Sequence, residues 1–281
     1  MQNLVLVNSL SHSGSTVLSM VLAGHDNLIS LGEVFQVLRE DPSRWLNDAE
    51  AVCSCGAKAR DCNVWGAALK KIAENSALAM TENKYDNINE KYQIVLQTFN
   101  EVYGDDILAV DTSKGFRHLK QITNDDNINI ETIFLMRDAR AYATSQTRIA
   151  RVQKRRGLRK IKQSTLFQLI KWYIGNRQRQ KYIKEKNLKA HQTSYESLCF
   201  HSEETVKGLC EFLNIPYQDK MIELTDTQHH ILFGNPMRLN KQKQMSLSYD
   251  SRWLANNEWT TPFALLGRIK KYNKKYIYNK D

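Results

Sequence analysis

The sequence lacks several features that would assign it to a specialised class of protein. No apolar stretch approaches the length that spans a bilayer, and no basic region followed by an apolar segment opens the chain. The chain has only four prolines and shows no low-complexity tract or repeat, which argues against a flexible tether between domains. The odd number of cysteines, five, fits a reducing compartment better than a disulfide framework. We therefore expect a cytoplasmic protein with a single domain over residues 1–281.

Acidic residues are missing from one long stretch of the chain. The formal net charge is +10, and residues 139–184 contain no Asp or Glu. A basic segment at about 148–162 lies within this stretch. Such a segment can simply be a solvated surface. Alternatively, it can attract an anionic acceptor, an acidic membrane surface that the protein contacts peripherally, or nucleic acid. Nucleic acid is disfavoured, because the compact nucleic-acid-binding motifs are absent.

A polar loop follows the first apolar run. Residues 4–8 predict a buried strand and residues 15–24 predict a helix. Free backbone N–H groups at the start of that helix, next to Ser and Thr hydroxyls, form an anion site. No Gly-Lys pair ends the loop, so the lysine that a P-loop kinase needs for the β- and γ-phosphates is missing. The alternative is a serine-capped loop without a ligand.

Strand and helix patterns alternate along the rest of the chain. Further strands are predicted at residues 29–31, 107–110, 130–136 and 188–193. Helices are predicted at residues 139–150, 165–185 and 202–213, with mostly helical structure at about 34–103. This alternation predicts an α/β fold, a central parallel sheet flanked by helices in three layers. Ligands bind such sheets beyond the carboxyl ends of the strands, where the polar loop, Glu33, Lys114 and Arg137 would meet.

A second anion site is predicted after the strand at residues 130–136. Arg137 follows this strand, and Ser145 lies two turns into the next helix. A guanidinium offers a planar fork of donors, and the serine hydroxyl can reach the same phosphate. A surface salt bridge is the alternative role for Arg137.

These motifs resemble those of the sulfotransferases that use 3′-phosphoadenosine 5′-phosphosulfate (PAPS), in a bacterial branch similar to carbohydrate and protein-tyrosine sulfotransferases. The motifs that carry the resemblance, in the family's order, are Ser13-Gly14-Ser15-Thr16, Asp111-Thr112-Ser113-Lys114, Arg137-Asp138-Ala139-Arg140 with Ser145, Tyr195-Glu196-Ser197-Leu198, residues 230–238 and residues 250–253. The resemblance implies a P-loop-like fold and transfer of a sulfuryl group from PAPS to an acceptor, leaving 3′,5′-ADP, with no metal required.

The resemblance also implies the residues that bind the cofactor. They are Ser13, Gly14, Ser15, Thr16, Arg137, Ser145, Tyr195 and Arg238. The loop at 13–16 would hold the 5′-phosphate, and Arg137 with Ser145 would hold the 3′-phosphate. Tyr195 would lie near the adenine, or in the core. Arg238 would reach a cofactor phosphate, or belong to a loop that only packs.

Three residues are candidates for catalysis. Glu33 occupies the position of the catalytic glutamate in similar protein-tyrosine sulfotransferases, so it is the predicted base, with a solvent-facing or helix-capping glutamate as the alternative. His12 stands where many relatives carry Arg or Lys, which leaves transition-state stabilisation in doubt; it is either a donor to the leaving phosphate or a loop histidine. Because of that departure, Lys114 is expected to contribute.

The cysteines offer a further motif. Cys53, Cys55 and Cys62, with Trp65, resemble the same bacterial group. A zinc site is disfavoured, because three thiols show no obvious fourth ligand and structural zinc usually takes four. Local structure is expected instead, or a disulfide in an oxidising compartment.

The predicted function is sulfuryl transfer to a hydroxyl of a carbohydrate or glycoconjugate, with a peptide tyrosine or a small metabolite as alternative acceptors. A catalytically silent relative that binds the nucleotide stays open because of His12. Two rival classes are a P-loop kinase, against which the missing lysine argues, and a basic nucleic-acid-binding module. Residues 34–103 and the basic segment would shape the acceptor site.

Overall fold

Five parallel strands form the centre of the molecule. The computed structural model describes residues 2–79, 83–153, 161–224, 227, 229–234 and 247–278. The strands lie in the order β2-β3-β1-β4-β5. Their bounds are β1 Gln2–Ser9, β2 Leu28–Gly32, β3 Leu108–Asp111, β4 Ile128–Met136 and β5 Ala190–Ser194. Every pairing between neighbours is parallel, so the carboxyl ends of all five strands meet at one edge.

Helices fill the connections between the strands. From α1 to α7 they are Ser15–Leu22, Val34–Leu38, Pro42–Asn47, Trp65–Glu74, Ser76–Ala79, Ile88–Tyr103 and Phe116–Ile122. From α8 to α14 they are Ala139–Val152, Thr165–Glu185, Tyr195–Phe200, Ser202–Leu213, Lys220–Glu223, Thr260–Leu265 and Gly267–Asn273. Short 3₁₀ turns at Ala59–Asp61 and Arg252–Ala255, and a π-helical turn at Lys274–Tyr278, complete the described elements.

Strand β1 shows why the molecule has three layers. Its side chains alternate between the two faces of the sheet. Leu4 and Leu6 pack into a cluster with α4, α6 and α7, whereas Val5 and Val7 pack into a second cluster with α1 and α11. All four side chains are buried, as expected for a parallel sheet covered on both faces. The predicted three-layer α/β fold is confirmed.

The predicted elements agree with the observed ones to within a few residues. Strands predicted at 4–8, 130–136 and 188–193 are observed at Gln2–Ser9, Ile128–Met136 and Ala190–Ser194. The helix predicted at 165–185 is observed over the same residues, and the region 34–103 is largely helical. Within the described residues no helix is long and apolar enough to cross a membrane. Most of the basic segment at 148–162 lies outside the described residues, since these omit 154–160.

Candidate active site

A cavity of about 980 Å³ opens at the carboxyl edge of the sheet. Among the residues predicted to form the site, those that line it are His12, Gly14, Ser15, Thr16, Glu33, Lys114, Arg137, Ser145 and Tyr195. Ser13 belongs to the same loop and is buried. Arg238 lies outside the described residues. The structure therefore brings the described members of the predicted set together, although they come from five different connections.

The loop between β1 and α1 has the backbone of an anion site. His12 and Gly14 adopt positive φ angles of 67° and 93°, and such left-handed residues can turn neighbouring N–H groups towards an anion. Helix α1 begins at Ser15 with no side chain of the described residues capping it and no acid in its first turn. The first N–H groups of a helix have no partner within it and carry positive partial charge. This end of the cavity is therefore suited to a phosphate or sulfate.

Gly14 is required at its position for a second reason. A Cβ atom built there would lie 2.4 Å from Cδ2 of Tyr195. Only glycine allows the loop to approach the tyrosine ring this closely, and only glycine adopts its φ without strain. The loop and Tyr195 thus form adjoining walls of the cavity.

The electrostatic surroundings of His12 favour a neutral imidazole. The residue is exposed towards the cavity, but the cavity walls partly desolvate the ring, and this burial is the main reason that its pKa is lowered. The positive charges of Lys114, Arg137, Arg148 and Lys171 lower the pKa further. At pH 7 His12 can donate a hydrogen bond to an anion but brings no full positive charge.

Arg137 is a buried cation directed at the same cavity. Its side chain follows β4, and the residue is 6% exposed. Nη1 donates to the carbonyl oxygen of His12 at 3.1 Å, and Nη2 donates to Asp250 Oδ2 at 3.1 Å. Nε is buried and finds no partner among the described residues. The guanidinium lies 4.8 Å from the centre of the Tyr195 ring, so Arg137 is not the surface salt bridge of the alternative prediction.

The wall that adjoins the loop is formed by Tyr195 and residues 248–252. Tyr195 Oη donates to the carbonyl of Ser248 and accepts from the backbone N–H of Asp250, each at 3.0 Å. Its ring stacks on that of Tyr249. The guanidiniums of Arg252 and Arg137 hold the pKa of Asp250 far below its usual range. Tyr195 is buried and lines the cavity. Its predicted place near the adenine stays a prediction.

Glu33 and Lys114 form an ion pair in the cavity wall. Lys114 Nζ donates to Glu33 Oε1, and each side chain is 16% exposed. Glu33 stands at the N-cap position of α2, but its side chain makes no capping bond within the described residues. The helix-capping alternative for Glu33 is thus not seen, and the carboxylate is left facing Lys114 and the cavity.

A buried hydrogen-bond network, which the sequence did not reveal, holds this ion pair in place. Asp111 Oδ1 accepts from Ser113 Oγ at 2.6 Å and from the backbone N–H of Val34 at 3.2 Å. Arg179, from α9, donates to the carbonyl of Lys114 at 2.8 Å and to Asn8 Oδ1 at 2.9 Å. The ends of β1, β2 and β3 are thereby fixed to one another. Arg179 lies in a long helix and belongs to no sequence motif, so only its burial in the fold identifies it as part of this network.

The chain matches a known protein family over most of its length. The model of the sulfotransferase family matches residues 5–219 of this chain. The chain belongs to the sulfotransferase family. The predicted sulfotransferase family is thereby confirmed.

Solved sulfotransferase structures show the same fold. One is the sulfotransferase domain of the Synechococcus PCC 7002 olefin synthase, with a TM-score of 0.58, 16% identity, and coverage of 100% of this chain and 96% of that chain. Another is the sulfotransferase domain from the curacin biosynthetic pathway, with a TM-score of 0.57, 15% identity, and coverage of 96% and 98%. No curated protein matches the chain significantly in sequence. At such identities the likeness concerns the fold and not the acceptor.

The cavity offers two separate places for anionic groups. The uncapped start of α1 can accept one of them. Arg137, with its unpartnered buried Nε, and Ser145 can accept the other.

The cysteine motif corrects one sequence argument. The sequence disfavours zinc because it shows no fourth ligand, but the ring of His230 lies beside the three thiols, with Nδ1 3.2 Å from Cys62 Sγ. That premise was wrong. His230 is distant in sequence from the cysteines, so its position could be found only in the folded chain.

Proposed function

We propose that this sulfotransferase transfers a sulfuryl group from PAPS to a hydroxyl group of a carbohydrate or glycoconjugate. The observation that carries the proposal is that two anion sites and the Glu33–Lys114 pair line one cavity. PAPS would supply the sulfuryl group as its 5′-phosphosulfate. A nucleotide with phosphates at both its 3′ and 5′ positions matches two separate anion sites better than ATP, whose phosphates form a single chain.

The proposed nucleotide side of the cavity consists of residues 13–16, Arg137, Ser145 and Tyr195. The backbone N–H groups at the start of α1 bind the 5′-phosphate, as helix N-termini do in other nucleotide sites. Arg137 and Ser145 bind the 3′-phosphate by charge-assisted hydrogen bonds. A bound phosphate competes with the Asp250 carboxylate for Arg137, and Asp250 then keeps its two hydrogen bonds from the Arg252 guanidinium.

The proposed acceptor side consists of Glu33, Lys114 and Phe233. Glu33 accepts the proton of the acceptor hydroxyl as the oxygen attacks sulfur. Lys114 orients the Glu33 carboxylate and places a positive charge next to the oxygens on which negative charge develops. His12 donates a hydrogen bond as a neutral imidazole, because its pKa is lowered.

A carbohydrate is the proposed acceptor because of the chemistry of the cavity wall. The cavity is lined by three serines, Ser11, Ser248 and Ser251, and by Phe233 and Arg148. Hydroxyls and a guanidinium can hydrogen-bond to sugar hydroxyls, and an aromatic face can stack on a sugar ring. The net charge of +10 favours an acceptor that is itself anionic.

The first experiment is calorimetric titration with 3′,5′-ADP, 5′-AMP and ATP without magnesium. We expect 3′,5′-ADP to bind most tightly, and Arg137→Ala to weaken its binding by about 10- to 100-fold, as for the loss of buried hydrogen bonds to a charged group. Arg151→Ala is the control, because Arg151 makes only an exposed pair with Glu258 in the described part of the chain. Equal binding of the three nucleotides contradicts the proposal.

The second experiment tests the acceptor. Radiolabelled PAPS is incubated with a panel of neutral and anionic oligosaccharides, tyrosine peptides and small phenols. Transfer of label to a sugar hydroxyl supports the proposal, and transfer to tyrosine or a phenol alone replaces the acceptor class. Tight binding of 3′,5′-ADP without transfer to any acceptor would indicate a nucleotide-binding relative without activity.

A further inference from the structure

Three thiols and one imidazole converge outside the cavity. The ligand atoms of Cys53, Cys55, Cys62 and His230 all lie within 4.8 Å of one another. Cys62 Sγ is 3.8 Å from Cys53 Sγ and 3.9 Å from Cys55 Sγ, and 3.2 Å from His230 Nδ1. Thiolates bound tetrahedrally to one zinc ion at about 2.3 Å stand about 3.8 Å from each other. The observed spacing of the sulfurs matches that geometry.

The surroundings of the cluster orient its members. His230 Nε2 bonds with the hydroxyl of Tyr103, which leaves Nδ1 facing the thiols. The backbone N–H of Trp65 points at Cys62 Sγ, 3.4 Å away. The N–H of Gly56 donates to the Cys53 carbonyl at 2.9 Å and closes a tight turn between the first two cysteines. Metal-binding histidines are oriented in this way through their second ring nitrogen, and thiolate ligands by backbone donors.

A disulfide accounts for less of this arrangement. All five cysteines of the chain are free thiols. A disulfide would need an oxidant, would use two of the three sulfurs, and would give no role to the third thiol or to the imidazole. Cys53, Cys62 and His230 are buried, and a buried set of three thiols and an imidazole is the composition of a closed structural zinc site.

We propose that Cys53, Cys55, Cys62 and His230 bind one structural Zn²⁺ ion. The three thiols lose their protons to solvent, and neutral His230 binds through Nδ1, so that the complex carries a net charge of −1. Soft thiolate ligands in a tetrahedral set select zinc over magnesium or calcium. Four protein ligands leave no open position, so the ion has a structural role.

The site connects segments that lie far apart in the sequence. The backbone N–H of His230 donates to the Ser30 carbonyl in β2 at 2.7 Å, and Trp65 Nε1 donates to the His230 carbonyl at 2.5 Å. Ser54 Oγ accepts from the N–H of Ile231 at 2.7 Å, and Ser54 N–H donates to the Ile231 carbonyl at 3.1 Å. The ion therefore fixes residues 53–62 and residues 229–234 to the edge strand.

This connection reaches the acceptor side of the cavity. The carbonyl of Phe233 accepts a long hydrogen bond from the N–H of Glu33, at 3.4 Å. A Cβ atom at Gly32 would lie 2.5 Å from Ile231 Cγ2, so the segment packs directly on the backbone before Glu33. Loss of the metal is expected to loosen Phe233 and Glu33 without touching the nucleotide side.

The metal content of the purified protein is the first test. Protein expressed in a reducing cytoplasm and purified without chelator should contain about one zinc ion per chain. Reconstitution with Co²⁺ should give the thiolate charge-transfer band and the visible bands of tetrahedral cobalt. Cys62→Ser and His230→Ala should lose the metal, whereas Cys210→Ala should keep it, because Cys210 lies elsewhere, against Met221.

A conservative variant keeps the proposal testable if the cysteine and histidine variants fail to fold. Tyr103→Phe keeps the ring and removes only the hydroxyl partner of His230 Nε2. Loss of such a partner lowers metal affinity by about 10- to 100-fold, measured by competition with a coloured chelator. Zinc-free protein that melts at the same temperature with and without added Zn²⁺ overturns the proposal. So does a disulfide among Cys53, Cys55 and Cys62 in freshly purified protein.

Discussion

The proposed nucleotide side of the cavity is built mainly from loops that follow two inner strands, whereas the proposed acceptor side joins an edge strand, an inner strand and a segment from far along the chain. Residues 13–16 and Arg137 follow β1 and β4, which are neighbours inside the sheet. Glu33 follows the edge strand β2, Lys114 follows the inner strand β3, and Phe233 lies two hundred residues after Glu33 in the chain. Most of the nucleotide side lies within two strand-to-helix connections, which Tyr195 and Asp250 join from elsewhere in the chain. The acceptor side depends throughout on long-range contacts that fix separate segments together.

The comparison leads to a functional expectation. Changes on the nucleotide side should alter the binding of 3′,5′-ADP, and changes on the acceptor side should alter turnover. Variants that affect both quantities equally would show that the two sides are one unit.

The largest effect is expected for Glu33→Gln. The amide keeps the shape of the side chain but cannot take the acceptor proton, so turnover should fall by about 10²- to 10⁴-fold. Binding of 3′,5′-ADP should be unchanged. Initial rates with labelled PAPS and calorimetry measure the two quantities. Glu40→Gln is the control, because Glu40 pairs with Arg39 and Arg44 away from the cavity. A Glu33→Gln enzyme with near-full turnover would remove Glu33 as the base.

The next largest effect concerns stability on the nucleotide side. Burial, followed by the charge of Asp138, raises the pKa of Glu196 to about 7. The unfolded chain gives up this proton at lower pH than the folded one, so folding loses stability as the pH rises from about 4.5 to about 7. Glu196→Gln removes this loss and can keep the bond from the Asp138 N–H to Oε1.

Urea unfolding at pH 5 and pH 8 measures the effect of Glu196→Gln. The free energy of unfolding of the variant, relative to that of the wild type, should rise by up to about 3 kcal/mol from pH 5 to pH 8. Glu203→Gln, at an exposed position, should show no such gain. An equal effect of Glu196→Gln at both pH values would contradict the raised pKa.

A smaller effect is expected for Gly14→Ala. The new Cβ meets Tyr195 at 2.4 Å and the φ of 93° is strained for alanine, so stability should fall by about 1–3 kcal/mol and 3′,5′-ADP should bind more weakly. Gly104→Ala is the matched control, because its φ is 84° but nothing in the described part of the chain lies within 4 Å of the added atom. If the two variants behave alike, strain alone and not the contact with Tyr195 is responsible.

The smallest effect is expected at His12. Because its pKa is lowered, the ring should be neutral throughout the range above pH 6.5, and its titration should affect the rate only at more acidic pH. His12→Gln keeps a hydrogen-bond donor and should remove an acid limb of the pH–rate profile. His201→Gln, outside the cavity lining, serves as the control. A profile that is identical in wild type and His12→Gln would assign His12 to the loop alone.

Most of the nucleotide side could be read from the sequence. The loop at 13–16 and the Arg137–Ser145 pair each lie within one strand-to-helix connection, where spacing along the chain fixes spacing in the fold. Glu33 and Lys114 were also found, because each follows an apolar run at the same edge of a parallel sheet. Arg179 was identified only by its burial, since no motif marks a long-range hydrogen bond. Asp111 belongs to a sequence motif, but its hydrogen bonds to Ser113 and Val34 were found only in the fold.

The sequence alone determined the order of strands and helices, the strand-end positions of the polar motifs and the membership of the sulfotransferase family, because these depend on local periodicity and on residues close together in the chain. The tertiary structure alone decided that Lys114 pairs with Glu33, that Arg137 is buried beside Asp250, and that His230 completes the cysteine cluster. These pairings join segments that are separated by 81 to 168 residues. Their distances follow from how the layers pack, and packing is not encoded in any single stretch of the chain.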